Sequence, residues 1–306
     1  MEKQRAPRNR TLTLEPDDAA RLSGALLRPS GSLGAEECED RIICGDLFDM
    51  LPLLPKAFAD LLIIDPPYNL DKDFHGNTFR ERSLAAYTEW VESWLPAVLA
   101  CAKPHASVYL CGDWKSSPAL FAALDGRTVI RNRITWQREK GRGAMHNWKN
   151  CSEDIWFATM GDEFHFDVDA VKHRRRVVAP YRENGEPKDW TETEDGKFRL
   201  TFPSNFWDDI TVPYWSMPEN TDHPTQKPEK LLAKLILASS KPGDLVFDPF
   251  AGSLTTAVAA RKLGRRFTCV EMNETYCLWG AKRLERAKTD RSIQGYVDGT
   301  FRERNS

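Results

Sequence analysis

Leu61-Leu-Ile-Ile-Asp-Pro-Pro-Tyr-Asn-Leu70 is the stretch that decides the fold of this chain. Four consecutive apolar residues that end at two prolines indicate a strand buried on both faces, as in the middle of a parallel sheet. The turn that follows the strand carries Asp65, Pro66 and Tyr68. Open α/β sheets hold their ligands at the carboxyl ends of the strands, so we expect this turn to lie in a functional site.

The residues of this turn suit the activation of an exocyclic amino group on a nucleobase. Such a group is a poor nucleophile because its lone pair is delocalised into the ring, so a catalyst must accept hydrogen bonds from its N–H groups. The Asp65 carboxylate supplies one acceptor and an adjoining backbone carbonyl supplies a second. Proline fixes the turn, and the Tyr68 ring offers a face for stacking. The structural alternative is that Asp65 only caps a helix and the prolines only end the strand.

A second buried strand lies within Asp244-Leu-Val-Phe-Asp-Pro-Phe-Ala-Gly-Ser-Leu-Thr-Thr256. It breaks into a turn of small residues, and a helical run from Thr255 to Lys262 follows. Gly252 has no Cβ to obstruct a ligand, and the helix N-terminus favours a carboxylate. Glu271 ends the next apolar strand, at roughly the 20-residue spacing at which an acid holds a nucleoside ribose. The pattern indicates half of a Rossmann-like nucleoside site.

Three motifs, in this order, resemble the beta group of S-adenosylmethionine-dependent DNA amino-methyltransferases: Asp65-Pro-Pro-Tyr68, His223-Pro-Thr-Gln-Lys-Pro228 and Asp248-Pro-Phe-Ala-Gly-Ser253. The resemblance covers about Arg41 to Arg286. It implies a doubly wound, Rossmann-like α/β sheet, mostly parallel with one antiparallel strand and permuted so that the catalytic half precedes the cofactor half. The implied reaction is methylation of N6 of a flipped-out adenine in a specific DNA sequence.

The resemblance also assigns roles to individual residues. Asp65 and the Pro66 carbonyl accept hydrogen bonds from the target amino group, and Tyr68 stacks on the base. Asp46 follows the strand Arg41–Cys44 and matches the acid that meets the cofactor adenine, although it also suits a helix N-cap. The expected cofactor-binding residues are Asp46, Asp65, Thr225, Gln226, Lys227, Asp248, Phe250, Ala251, Gly252, Ser253 and Glu271, of which Thr225, Gln226 and Lys227 engage the cofactor carboxylate.

The chain departs from the family pattern at Leu254, where the family usually has glycine. A branched side chain here would crowd the methionine end of the cofactor and weaken its binding. The alternative is a shifted turn in which Leu254 points into the core.

Composition limits the classes of function. The chain has 306 residues, 41% of them hydrophobic, and a formal net charge of -2, so any DNA contact must come from local basic patches. Seven cysteines without a Cys-x-x-Cys pair indicate neither a zinc site nor a disulfide framework, and favour reduced thiols in a cytoplasmic protein. We therefore expect no metal. No apolar run reaches membrane-spanning length.

The strongest local charge asymmetry runs from Arg127 to Lys149, with five arginines and two lysines against Glu139. A charge run is usually a solvated face, but a strand-to-strand loop with interleaved aromatic residues also suits contact with phosphates and base edges. Lys172-His-Arg-Arg-Arg176 forms a second basic cluster. The predicted DNA-binding residues are Arg138, Lys140, Arg142, His146, Lys149, Arg174 and Arg175.

The predicted organisation has five parts. They are a flexible N-terminal tail (1–40), the catalytic half (41–177), a target-recognition insertion (178–222), the cofactor-binding half (223–290) and a C-terminal tail (291–306).

Two other functions stay open: methylation of N4 of cytosine, and DNA binding with weak catalysis. The expected cofactor is S-adenosylmethionine and the expected partner is double-stranded DNA. A homodimer and a companion restriction endonuclease are left open.

Overall fold

The structure is a computed structural model that describes residues 6–74, 77–138 and 145–303. In these ranges the helices are α1 (Asp18–Ser23), α2 (Ala35–Cys38), α3 (Leu47–Met50), α4 (Leu84–Leu99), α5 (Ser117–Leu124), α6 (Glu229–Ser239), α7 (Thr255–Lys262) and α8 (Glu274–Arg286), with 3₁₀ turns at Leu51–Leu53 and Asp169–Val171. None of these helices has both the length and the apolar character needed to cross a membrane.

The strands, in chain order, are β1 (Leu26–Leu27), β2 (Arg41–Cys44), β3 (Ala59–Ile64), β4 (Lys72–Phe74), β5 (Asn77–Phe79), β6 (Ala102–Gly112), β7 (Val129–Gln137), β8 (Ser152–Thr159), β9 (His173–Arg176), β10 (Arg182–Glu183), β11 (Glu186–Pro187), β12 (Thr191–Thr193), β13 (Gly196–Thr201), β14 (Phe206–Trp207), β15 (Leu245–Asp248), β16 (Arg266–Glu271), β17 (Tyr296–Val297) and β18 (Thr300–Arg302).

Nine strands form the main sheet in the order β1-β2-β16-β15-β3-β6-β8-β7-β14. Every neighbouring pair is parallel except those that involve β8, which runs antiparallel to both β6 and β7. The predicted fold class, a mostly parallel sheet with one antiparallel strand, is confirmed. Because β3 from the first half lies beside β15 from the second, the two motif-bearing turns meet at one edge of the sheet.

The core has two layers because side chains alternate across a strand. All six residues of β3 are buried. Leu61 and Ile63 face a cluster built with α6, α7 and α8, whereas Leu62 and Ile64 face a cluster built with α4 and α5. The sheet is therefore covered by helices on both faces, which explains why Leu61 to Ile64 of its central strand are all apolar.

The N-terminal segment is not the flexible tail that its polar composition predicted. β1 extends the main sheet by pairing with β2. Asp18 accepts a hydrogen bond from Lys282 of α8 at 2.5 Å, and Leu12 packs in a small cluster with Tyr276 and Trp279. A few widely spaced leucines are enough to dock this segment on α8, a signal that average polarity hides.

A second sheet, ordered β12-β13-β9-β18-β17, corrects the remaining predicted boundaries. It takes β9 from the predicted catalytic half and β17 and β18 from the predicted C-terminal tail. Phe301 in β18 is fully buried beside Tyr296, with a centroid separation of 4.6 Å. Strand pairing thus joins segments that lie far apart in the chain. The insertion predicted at 178–222 supplies β12 and β13 to this sheet, and the other three strands come from outside it.

Candidate active site

A cavity of about 570 Å³ opens at the carboxyl edge of the main sheet. β2, β3, β15 and β16 all end at it, so their terminal turns supply most of its wall. The cavity brings together every catalytic and cofactor residue predicted from the sequence, namely Asp46, Asp65, Pro66, Tyr68, Thr225, Gln226, Lys227, Asp248, Phe250, Ala251, Gly252, Ser253 and Glu271.

The turn after β3 is held rigidly by the two helices beneath it. The Tyr87 hydroxyl of α4 donates to the Pro67 carbonyl at 2.9 Å. The Asn69 backbone N–H donates to Ser116 Oγ, next to α5, also at 2.9 Å. Because both contacts use backbone atoms, they fix the path of the turn and leave its side chains to face the cavity.

A cluster of charges surrounds Asp65. The Lys227 ammonium lies 2.7 Å from Asp65 Oδ2, 3.0 Å from the Tyr68 hydroxyl and 3.1 Å from Glu153 Oε2. The Tyr68 hydroxyl lies 2.8 Å from Asp65 Oδ1 and 2.9 Å from Glu153 Oε2. Arg138 pairs with the other oxygen of Glu153 at 3.0 Å. Two acids and two bases therefore enclose one phenol.

Sequence reasoning missed Glu153, which is only 4% exposed and begins the antiparallel strand β8. The acid pair Glu153-Asp154, placed just before a run of apolar residues, was the signal that could have identified it. Such an acid must find partners because an unpaired buried charge is costly. Its partners come from three separate segments of the chain, so the sequence pattern cannot name them.

Burial raises the pKa of the Asp65 carboxyl, and the Lys227 ammonium opposes this shift. Burial alone would lower the pKa of Lys227, but the charges of Asp65 and Glu153 raise it overall. Burial also raises the pKa of Tyr68 well above its usual range. The phenol consequently keeps its proton and acts as a hydrogen-bond donor.

Two further acids line the cofactor half of the cavity. Asp248 accepts from the Phe250 N–H at 3.0 Å. Glu271 accepts from the N–H groups of Gly252 at 2.8 Å and Asn273 at 2.7 Å. Burial raises the pKa of both carboxyls to about 7. Glu271 thereby ties β16 to the small-residue turn after β15.

The conformation of the small-residue turn after β15 explains why position 252 is glycine and where the Leu254 side chain lies. Gly252 has φ +52°, and a Cβ at this position would lie 2.9 Å from Nε2 of His223. Leu254 also has a left-handed backbone, at φ 59°, but its side chain is fully buried in the core. A Cβ on Gly280 of α8 would lie only 2.6 Å from that of Leu254, so Gly280 provides the room. Leu254 packs away from the cavity and does not crowd it.

The residues expected to hold the cofactor carboxylate behave differently from one another. Gln226 uses its amide within its own loop, with Oε1 accepting from Thr221 and Nε2 donating to the Glu219 carbonyl. The Lys227 ammonium is bound in the charged cluster around Asp65. Thr225 lines the cavity. Asp46 also lines the cavity and caps α3 by accepting from the Phe48 N–H.

The predicted DNA-binding residues lie in two places. Arg138 lines the cavity and is ion-paired, while His146 and Lys149 are exposed on the loop between β7 and β8. Lys140 and Arg142 lie outside the described residues. In β9, the guanidinium of Arg174 lies 3.6 Å from the centroid of the Phe198 ring, and Arg175 is exposed. No described group of His, Cys, Asp and Glu side chains is placed to hold a metal ion.

Comparison with known proteins identifies the family. Residues 59–282 match the family model described as N6_N4_Mtase, DNA methylase. The chain belongs to the N6/N4 DNA methylase family. It is 32% identical over 253 residues to DNA adenine methyltransferase YhdJ of Escherichia coli K12, covering 80% of this chain and 82% of that protein. It is 31% identical over 250 residues to type II methyltransferase M.HpaI of Haemophilus parainfluenzae, covering 81% and 74%.

Solved structures of DNA methylases share the fold. The cytosine-N4-specific PvuII DNA methyltransferase superposes with a TM-score of 0.59 at 17% identity, covering 86% of this chain and 92% of that one. The complex of M1.HpyAVI with SAM has a TM-score of 0.52 at 20% identity, covering 79% and 98%.

Proposed function

We propose that this DNA methyltransferase transfers a methyl group from S-adenosylmethionine to N6 of adenine in double-stranded DNA. The observation that carries the proposal is the Asp65 carboxylate on the cavity wall, at the end of β3 and beside the turn of the cofactor half. The relative at 32% identity supports adenine, because it is named a DNA adenine methyltransferase.

The residues present fit this cofactor. The cavity accommodates a nucleoside with its amino-acid tail, and Gly252 leaves open a space that a Cβ would fill. Glu271 suits the ribose hydroxyls, Asp46 the adenine, and Thr225 the carboxylate. When bound, S-adenosylmethionine supplies an electron-poor methyl group.

In this mechanism Asp65 and the Pro66 carbonyl accept the two N–H bonds of the target amino group and draw its nitrogen towards a tetrahedral shape. Tyr68 stacks on the base. The nitrogen would form a bond to the methyl carbon while the carbon–sulfur bond breaks and the sulfur leaves as a neutral thioether. The nitrogen would then lose one proton, for which Asp65 is the acceptor within reach. The base must leave the duplex to reach the cavity, which costs a few kcal/mol.

The deciding experiment is base-resolved sequencing of plasmid DNA from a host without its own methylases, with and without this protein. Mass spectrometry of the digested nucleosides then assigns the product. N6-methyladenine is the expected outcome, whereas N4-methylcytosine would establish the alternative that the cytosine-specific fold relative keeps open. A protein that binds DNA but leaves it unmodified would be a DNA-binding protein of the same fold with weak catalysis.

Cofactor affinity should decrease as the pH is lowered, because Glu271 becomes protonated. Its pKa is about 7 in the free protein because of burial. Ribose hydroxyls donate stronger hydrogen bonds to the ionised carboxylate than to the neutral acid. Binding therefore lowers that pKa and weakens as the pH falls through about 7, by up to about tenfold per pH unit. Calorimetric titration with S-adenosylmethionine between about pH 8 and pH 6 measures this. Glu271→Gln should flatten the dependence, and the exposed Glu274→Gln should leave it unchanged; equal slopes in both variants would reject the ribose role.

Salt dependence tests the DNA surface. Replacing Arg142 and Arg175 with alanine should weaken DNA binding and reduce the slope of log affinity against log salt by about one unit for each phosphate that is no longer neutralised. The control is Lys56→Ala, because Lys56 is exposed and precedes β3, at the opposite edge of the sheet from the cavity. If both proteins keep the wild-type slope, these arginines belong to a solvated face.

A homodimer, a companion restriction endonuclease and a cytoplasmic location remain predictions. The seven cysteines all carry free thiols, which suits the last of them.

A further inference from the structure

In the cluster around Asp65, two carboxylates compete for the hydrogen bond of the Tyr68 hydroxyl. The Lys227 ammonium has three N–H donors and three acceptors within reach, at 2.7, 3.0 and 3.1 Å. It donates hydrogen bonds to Asp65 and to the Tyr68 hydroxyl and forms an ion pair with Glu153. The Tyr68 hydroxyl has a single proton but two carboxylate oxygens, at 2.8 Å on Asp65 and 2.9 Å on Glu153. It can donate to only one of them at a time.

The choice of acceptor matters for Asp65. Lys227 already occupies Oδ2 of Asp65. If Tyr68 donates to Oδ1, both oxygens of Asp65 carry protein donors, and their remaining lone pairs attract an amino group less strongly. If Tyr68 donates to Glu153, Oδ1 keeps its full capacity to accept an N–H bond from the target.

Glu153 is built to be the stronger competitor. It is 4% exposed on a strand in the interior of the main sheet, and its Oε1 is fixed by Arg138 at 3.0 Å. Its Oε2 is directed at Tyr68 and Lys227. The carboxylate therefore presents one constrained acceptor to the phenol, close to the cavity wall.

We infer that Glu153 is a positioning residue, which accepts the hydrogen bond of the Tyr68 hydroxyl and pairs with the Lys227 ammonium so that Oδ1 of Asp65 stays open to the target amino group. This inference rests on the proposed role of Asp65. It applies equally to adenine and cytosine, since both present the same kind of amino group.

The test is a double-mutant cycle on single-turnover methyl transfer with saturating S-adenosylmethionine and DNA. In the wild-type background, Glu153→Ala should slow transfer about 10- to 100-fold, the value of a hydrogen bond to a charged group. In a Tyr68→Phe background, where no hydroxyl proton can be misdirected, the same change should slow transfer less than about threefold. Glu153→Gln, which keeps an acceptor oxygen, should recover part of the rate.

Controls separate this role from a structural one. Cofactor affinity and melting temperature are measured for every variant, and Glu92→Ala, which breaks the exposed ion pair with Arg127, should leave the rate unchanged. If Glu153→Ala fails to fold, the Glu153→Gln pair of backgrounds replaces it. Equal slowing in both backgrounds, or no slowing in either, overturns the inference while the proposed function stands. A wild-type protein that modifies no amino group overturns both.

Discussion

Asp65→Ala is expected to abolish methyl transfer and to leave cofactor binding close to that of the wild-type protein. In the proposed mechanism Asp65 contacts the target amino group, whereas Glu271 and the turn around Gly252 hold the cofactor. Loss of a group that stabilises developing charge costs about 10²- to 10³-fold, and loss of general-base catalysis costs a comparable factor. A fall of at least about 10³-fold in the single-turnover rate is therefore expected.

The cluster complicates this variant, because alanine leaves the buried Lys227 ammonium with Glu153 as its remaining carboxylate. Breaking a buried ion pair in this way destabilises a protein by about 3–5 kcal/mol. Asp65→Asn is the matched control, since it preserves shape and one acceptor. Calorimetry with S-adenosylmethionine shows whether each variant still binds cofactor. A folded, cofactor-binding Asp65→Ala protein that retains more than a few per cent of the wild-type rate would remove Asp65 from the mechanism.

Leu254→Gly is expected to lower the melting temperature without tightening cofactor binding. The leucine is fully buried against α8 and does not line the cavity. Truncating a buried leucine costs about 2–5 kcal/mol, while release from the left-handed backbone returns about 1–2 kcal/mol. The net loss should be about 2 kcal/mol. Thermal unfolding and cofactor titration on the same protein measure both quantities.

Comparing the stability of Leu254→Ala with that of Leu254→Gly tests the same explanation in a second way. Leu254→Ala loses the same packing but keeps the strain at φ 59°, so it should be less stable than Leu254→Gly, the reverse of the usual order. Gly280→Ala should be destabilising alone and tolerated beside Leu254→Gly, because the clash at 2.6 Å disappears. Tighter cofactor binding by Leu254→Gly would restore the crowding explanation.

Local patterns in the chain were sufficient for the parts of the site that adjoin a strand end. Asp65 and Asp248 each end or follow an apolar run, and Glu271 ends another. A turn at the carboxyl end of a parallel strand must face the same edge as its neighbours, so the sequence alone could assign these residues to one cavity. The same reasoning assigned Gly252 to this cavity, which it lines.

Contacts between distant segments were beyond such patterns. The sequence predicted two tails because the residues that dock the terminal segments, among them Leu12, Leu22 and Phe301, are widely spaced between many polar residues. Lys227 was assigned to the cofactor carboxylate, yet its ammonium lies against Asp65, 162 positions earlier in the chain. Sequence spacing carries no information about which buried charge will neutralise another.

The amino-acid sequence by itself determined the α/β sheet and the acids that line the cavity, because strand period and turn chemistry are properties of neighbouring residues. The permuted order followed from the resemblance of the three motifs to a known family. The tertiary structure alone decided that Leu254 packs into the core and that Glu153 joins the charged cluster around Asp65. Glu153 reaches Tyr68 across 85 positions, through an antiparallel strand that the sheet order brings to the cavity. Because Asp65, Glu153 and Lys227 are buried together, their charges must neutralise one another. This pairing follows from tertiary packing and cannot be read from neighbouring positions in the sequence.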